Sequence, residues 1–287
     1  MRSLNSDLRF DPFPNAFDNL ARLTDTRYVT PDGAILNGHG YALNNGNQRT
    51  RQTRFSSANT NTVDYRYDPL GEVTGAAGKE ANGASRLHEQ FGYQYDAAGN
   101  LTWRTNNALA QNFFVNALNE LTNITRSGTL TVAGNTSSRA TNVTVNGLSA
   151  TLYGDLTFAK DGFTVTNGGN SFTAVATDGL GHADTNTSSS YLPASVSFTY
   201  DANGNLTGDG SRCFAYDDEN QLVSVWVTNS WRSDFVYDGK MRRRIRREYT
   251  WQSGIGNWQL ASETHYVYDG NLVIQERDLN NLRGIFR

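Results

Sequence analysis

The chain has 287 residues, of which 37% are hydrophobic, with 27 glycines, 14 tyrosines and 14 phenylalanines. Its net charge of −3 excludes the strong basic field of a general nucleic-acid or membrane-surface binder. The single cysteine, Cys213, excludes an internal disulfide framework. Low hydrophobic content with abundant Gly, Asn and Thr suits thin, two-sided sheets and argues against a large helical core.

In chain order, Met1 to Asp7 lacks the apolar run of a secretory signal, and no stretch reaches membrane-spanning length. Residues 1–27 form a lead-in, within which Asn15 to Leu23 has the spacing of a short amphipathic helix. A recurring phrase then begins: Tyr67-Asp68-Pro69-Leu70-Gly71, Tyr95-Asp96-Ala97-Ala98-Gly99, Tyr200-Asp201-Ala202-Asn203-Gly204 and the looser Tyr216-Asp217-Asp218-Glu219-Asn220. Two shorter versions, Tyr237-Asp238-Gly239 and Tyr268-Asp269-Gly270, follow, and degenerate copies start at Tyr41 and Phe114.

The phrase predicts an antiparallel hairpin. Phe91, Tyr93 and Tyr95 alternate on one face of an incoming strand. Asp96 opens the turn, where its carboxylate can accept N–H groups two residues on. Gly99 falls where a type I turn followed by a bulge requires positive φ. Leu101 and Trp103 resume the alternation. Spacing is uneven, 28 residues from Tyr67 to Tyr95 against 16 from Tyr200 to Tyr216, so the hairpins vary in length and are not identical solenoid rungs.

From 128 to 193 the phrase gives way to Thr, Ser, Asn, Gly and Val. Thr141 to Gly147 reads as a strand closed by an Asn-Gly turn, Phe158 to Val165 as another, and Asn170 to Thr177 as a third before Asp178-Gly179. Two architectures fit: a small β-sandwich-like module inserted between hairpin regions 28–127 and 194–287, or longer hairpins of the same kind. The first is the expectation.

These residues, over Tyr28 to Asn123 and Ser195 to Arg277, resemble the YD repeats of the RHS family of polymorphic-toxin and cell-surface proteins. Asn170 to Gly181 resembles the late strands of bacterial immunoglobulin-like domains. The RHS resemblance implies an all-β fold of consecutive antiparallel hairpins forming part of a spiral shell that often encloses a toxic C-terminal domain. It further implies a secreted or cell-surface location, and partners in the remainder of a shell or a C-terminal effector. Self-cleavage in that family depends on aspartates after the repeats; the chain is expected to be a fragment ending before them, so no catalytic residue carries over. An isolated fragment of such a sheet is expected to self-associate through open strand edges.

The residues themselves point to a non-catalytic protein without cofactor. Each aspartate of the phrase opens a turn, which engages its oxygens locally. Asp201-Ala202-Asn203-Gly204-Asn205 resembles the start of a calcium loop but lacks the sixth-position glycine and later glutamate. His39, His88, His182 and His265 have no i, i+4 partner, so no zinc site is expected. Cys213 reads as a small buried strand residue. Along Lys240 to Arg247, strand alternation puts Lys240, Arg242, Arg244 and Arg246 on one face, either a solvated edge or, through Arg242, Arg244 and Arg246, a surface for an anionic partner. Trp226, Trp231, Trp251 and Trp258 could stack on sugar rings, although alternation around Trp226 favours cross-strand packing. The alternative function is an adhesive module that recognises a surface glycan or protein through 128–193.

Overall fold

The computed structural model describes residues 15–30, 33–56, 59–278 and 285–286, and all the regular structure among them is β-strand. The first fourteen residues of the lead-in and Leu282 to Gly284 lie outside the described residues. The chain is all-β, built from consecutive antiparallel hairpins. It divides into two compact units, one of residues up to 113 with 125–195, the other of 114–124 with 196 onward.

In the first unit, strands β1 (Ala16–Phe17), β2 (Leu23–Val29), β3 (Ile35–Leu43), β4 (Arg49–Ser56), β5 (Thr60–Tyr67), β6 (Val73–Glu80), β7 (Ser85–Tyr95), β8 (Leu101–Asn106) and β9 (Leu109–Val115) each pair with the next. Every strand therefore meets its sequence neighbour, which keeps loop closure short. A helix expected over Asn15 to Leu23 is replaced by the first of these hairpins. Asp18 Oδ1 accepts the N–H groups of Leu20 (2.9 Å) and Arg22 (3.0 Å), and Ala16 pairs with Asp25. A nine-residue helix has a costly nucleus and no packing partner to offset it, whereas the turn gains ladder bonds from β2 at once.

Two small sheets follow. One has the order β11 (Leu130–Asn135), β15 (Thr157–Phe163), β14 (Thr151–Leu152). The other has the order β13 (Leu148–Ser149), β12 (Asn142–Val145), β16 (Gly168–Thr177), β17 (Ala183–Leu192). The Asn-Gly turn joins β12 and β13, with φ of 49° at Asn146 and 79° at Gly147, the geometry that Asn-Gly favours. Val143, Val145, Phe158 and Phe163 form a buried cluster between the sheets, with Leu130, Val132, Phe172, Ala174 and Ala176 against it. At the base, Arg126 donates to the carbonyls of Leu192 (2.6 Å), Pro193 (2.9 Å), Thr166 (2.8 Å) and Val165 (3.3 Å), tying both ends of the segment together.

In the second unit, Thr122 of β10 (Leu121–Gly128) accepts from Phe198 N at 2.9 Å, just after β18 (Ser195–Ser197). A nine-stranded meander then runs in chain order: β19 (Thr199–Tyr200), β20 (Leu206–Gly208), β21 (Cys213–Tyr216), β22 (Leu222–Val227), β23 (Trp231–Tyr237), β24 (Arg243–Gln252), β25 (Asn257–Asp269), β26 (Leu272–Arg277) and β27 (Ile285–Phe286). Cys213 is half-buried in β21, opposite Trp226, because a single sheet layer covers it on one side.

Candidate functional site

The turn phrase forms a repeated local structure. At Asp96, the backbone N–H bonds Asn100 O (3.0 Å), the carbonyl receives Gly99 N (3.1 Å), and Oδ1 accepts from Ala98 N and Asn100 N, both at 2.9 Å. Asp68, Asp201, Asp217 and Asp238 repeat this pattern, as do Asn44, Asn116 and Asp178. Hydrogen bonds from Asn100 and Asn205 hold the Asp96 and Asp201 carboxyls below the ordinary carboxylate range. The oxygens that a calcium loop would present at Asp201 are therefore occupied by N–H donors.

Positive φ follows the turn position and not the residue type: Gly71 (92°), Gly99 (81°) and Gly204 (81°), but also Asn220 (61°) and Met241 (59°). At Tyr237-Asp238-Gly239 the left-handed residue is thus Met241. Asp269 instead pairs with Leu272 across a two-residue turn, with Gly270 at φ 57°.

The tyrosines have a role that the sequence pattern does not reveal. Tyr67 Oη donates to Arg49 O (2.8 Å), Tyr95 to Val73 O (3.1 Å), Tyr200 to Leu121 O (2.9 Å), Tyr237 to Leu222 O (2.9 Å) and Tyr268 to Arg243 O (2.9 Å). Every acceptor is the first residue of a strand that opens just after an earlier turn. The phenol thus ties successive hairpins at the turn end.

The cationic stretch is largely engaged. Lys240 and Arg242 lie in the turn before β24, not on the strand. Arg242 grips Asp238 Oδ2 through Nε (2.9 Å) and Nη2 (2.8 Å) and donates Nη1 to Gly270 O (2.6 Å). That contact drives the Asp238 carboxyl far below its usual value. Arg244 donates to Tyr266 O (3.1 Å), and Arg246 pairs with Glu248. Arg243 stacks between Phe235 and Tyr266, 5.6 and 4.6 Å from their ring centroids. Trp251 and Trp258 meet edge-to-face at 5.1 Å across β24 and β25, and Trp226 lies in β22 opposite Arg232.

A denser cluster lies in the first unit, where the double sheet meets β7. Arg86 is 1% exposed, yet it pairs with Glu80, donates to Asp155 Oδ2 (2.8 Å) and Thr157 Oγ1 (2.9 Å), and its Nε stands 3.2 Å from Glu89. Its guanidinium lies 4.7 Å from the centroid of Tyr153, whose hydroxyl accepts Leu87 N at 2.8 Å. Burial opposes the charge on Arg86, but Glu89, Glu80 and Asp155 outweigh it and raise its pKa. Burial likewise raises the Glu89 carboxyl; Arg54, which grips it with both terminal nitrogens, brings it below the ordinary range. Gly154 permits the corner to close, since a Cβ there would meet the Asn59 side chain at 2.7 Å. No sequence motif announces this cluster, because its members are drawn from β4, β6, β7 and the Tyr153–Thr157 turn.

Between the edge strands β11 and β17 of the double sheet lies a cleft of about 860 Å³. Leu130, Val132, Phe172 and Ala174 give it an apolar wall and floor, and Asn186 and Ser188 a polar side. Among the described residues, no group of three or more His, Cys, Asp or Glu side chains is placed to hold a metal.

No family model matches the chain, and no curated protein does. Solved structures that align with it include two crystal structures. A crystal structure of TcdB2-TccC3-Cdc42 aligns over 92% of this chain at 13% identity, with a TM-score of 0.30. One of TcdB2-TccC3-TEV aligns over 91% at 13% identity, with a TM-score of 0.29. The chain spans 14% and 15% of those chains.

Proposed function

We propose that the chain is a non-catalytic structural segment of an RHS-type shell, interrupted by an immunoglobulin-like module at 128–193, and that the assembly encloses or displays a further polypeptide outside the cell. The observation that supports this most is the Tyr200 to Leu121 tie. Those residues are 79 apart in sequence, yet they make the same contact that Tyr95 makes with Val73 at a separation of 22. A tie of the repeat thus joins residues on either side of the double-sheet segment, which supports reading that segment as an insertion. A wall segment presents strand edges that pair with more wall. Sedimentation velocity over a wide concentration range is expected to show self-association of the isolated chain, and a monodisperse monomer throughout would count against the shell reading.

The cleft between β11 and β17 favours a second reading, an adhesive module that recognises a surface glycan. An apolar floor beside a row of short polar side chains suits a sugar ring, which has an apolar face and hydroxyl edges. A flat response of the full chain across a broad glycan panel would remove this reading.

A further inference from the structure

His88 is the one imidazole packed into the Arg86 cluster. It sits on β7 between Leu87, whose N–H anchors Tyr153, and Glu89, and its ring lies 5.4 Å from that of Tyr153. Its Nδ1 is buried with no hydrogen-bond partner among the described residues, while Nε2 stands 3.5 Å from Glu89 Oε1. A neutral ring tolerates that arrangement, since an unprotonated Nδ1 needs no acceptor. A protonated ring does not: it carries a second N–H and a full charge into a site with no acceptor at that nitrogen.

We infer that His88 makes the attachment of the double sheet to β7 acid-labile, so that protonation of its imidazole in mildly acidic solution loosens the Tyr153–Thr157 corner from the strand. The charged and titratable groups facing His88 come from each packed element: Arg86 and Glu89 on β7, Arg54 on β4, and Tyr153 and Asp155 on the corner, with Glu80 of β6 reaching the site through its pair with Arg86. Glu89 would welcome the added charge, but Arg54 holds it with two nitrogens and Arg86 lies beside it. Burial has the largest effect on the imidazole and lowers its pKa. Glu89 and Asp155 act against that shift, and Arg86 and Arg54 reinforce it.

The direction follows from linkage. A histidine whose folded value is depressed contributes stability that is present above the ordinary imidazole value of about 6.5 and is lost as pH falls from there toward the folded value. Two carboxylates of the cluster, Glu89 and Asp155, do not act in this window. Glu89 and Asp155 are held below the ordinary carboxylate range, so their contribution persists above about pH 4 and is lost only below it. Mild acid therefore separates the imidazole from those two carboxylates.

The test is hydrogen exchange on the full chain, read as protection of the Leu87 N–H and of the 153–157 backbone after correction for the intrinsic pH dependence of exchange. Lowering the pH from about 6.5 to about 5.5 is expected to reduce that protection by up to about fivefold, the ceiling for one proton taken up per opening. His88→Phe keeps the ring on Tyr153 but cannot titrate, so its protection should stay flat across the same step. Unchanged protection in the natural chain, or an equal fall in His88→Phe, would overturn the inference. If His88→Phe does not fold, NMR titration of His88 in the natural chain decides: a value below the ordinary imidazole range supports the latch, and one at or above it refutes it.

Discussion

Among the described residues, the meanders bury the apolar side chains of Val63 and Tyr266, whereas the 130–192 double sheet buries Val143, Val145, Tyr153, Phe158, Ala159 and Phe163. The meanders form single layers with half-buried faces, and their order comes from turns and ties: Asx-capped loops at one end, a phenol reaching the neighbouring hairpin. The double sheet closes two layers on a small core in the ordinary way. One chain thus combines two solutions to β stability. Local hydrogen bonding fixes where a meander folds back, and layer-on-layer packing fixes the double sheet.

The sharpest way to break that contrast is in the core. Phe158 lies against Gly134, where a Cβ would meet its ring at 2.8 Å, and it is 6% exposed. Phe158→Ala is expected to lower stability by about 3–5 kcal/mol, the usual range for a buried phenylalanine. Exchange protection should collapse across 130–192 and survive in β20 to β25; uniform loss in both regions would show that the two solutions are not separate.

A smaller effect sharpens the other side of the comparison. Gly99→Ala places a Cβ on a residue at φ 81°, 3.3 Å from Glu72 Oε1, and should cost about 1 kcal/mol. Met241, 69% exposed and held at φ 59°, is the reverse case: Met241→Gly should gain about 1 kcal/mol by relieving the left-handed strain. Denaturant midpoints of both variants read this directly. Destabilisation by Met241→Gly would mean that its side chain matters more than its backbone, and the turn rule would then not govern the meander.

Legibility in the sequence follows the same division. The hairpins at Asp68, Asp96, Asp201 and Asp217 could be read because each turn closes within five residues, and the acceptor, the N–H donors and the left-handed position all lie in one phrase. The turn at Asp18 was hidden because Ala21, not Gly, occupies its left-handed position at φ 58°, and Phe17 stands for the tyrosine. Arg242, Arg244 and Arg246 were legible as a charge run but not as partners of Asp238, Gly270, Tyr266 and Glu248, since Gly270 and Tyr266 come from another turn and another strand.

What the sequence by itself determined is the punctuation: where strands end, which carboxylate caps the reversal, and that the product is a series of antiparallel hairpins. These depend on contacts a few residues apart, whose entropy cost of closure is small and whose chemistry is spelled out locally. Only the tertiary structure decided that Tyr200 answers to Leu121, that Arg126 binds the two ends of 130–192, and that Arg86 gathers Glu80, Glu89 and Asp155 around His88. Those contacts join residues tens of positions apart, and no local pattern specifies which distant carbonyl or carboxylate will stand within reach once the sheets have formed.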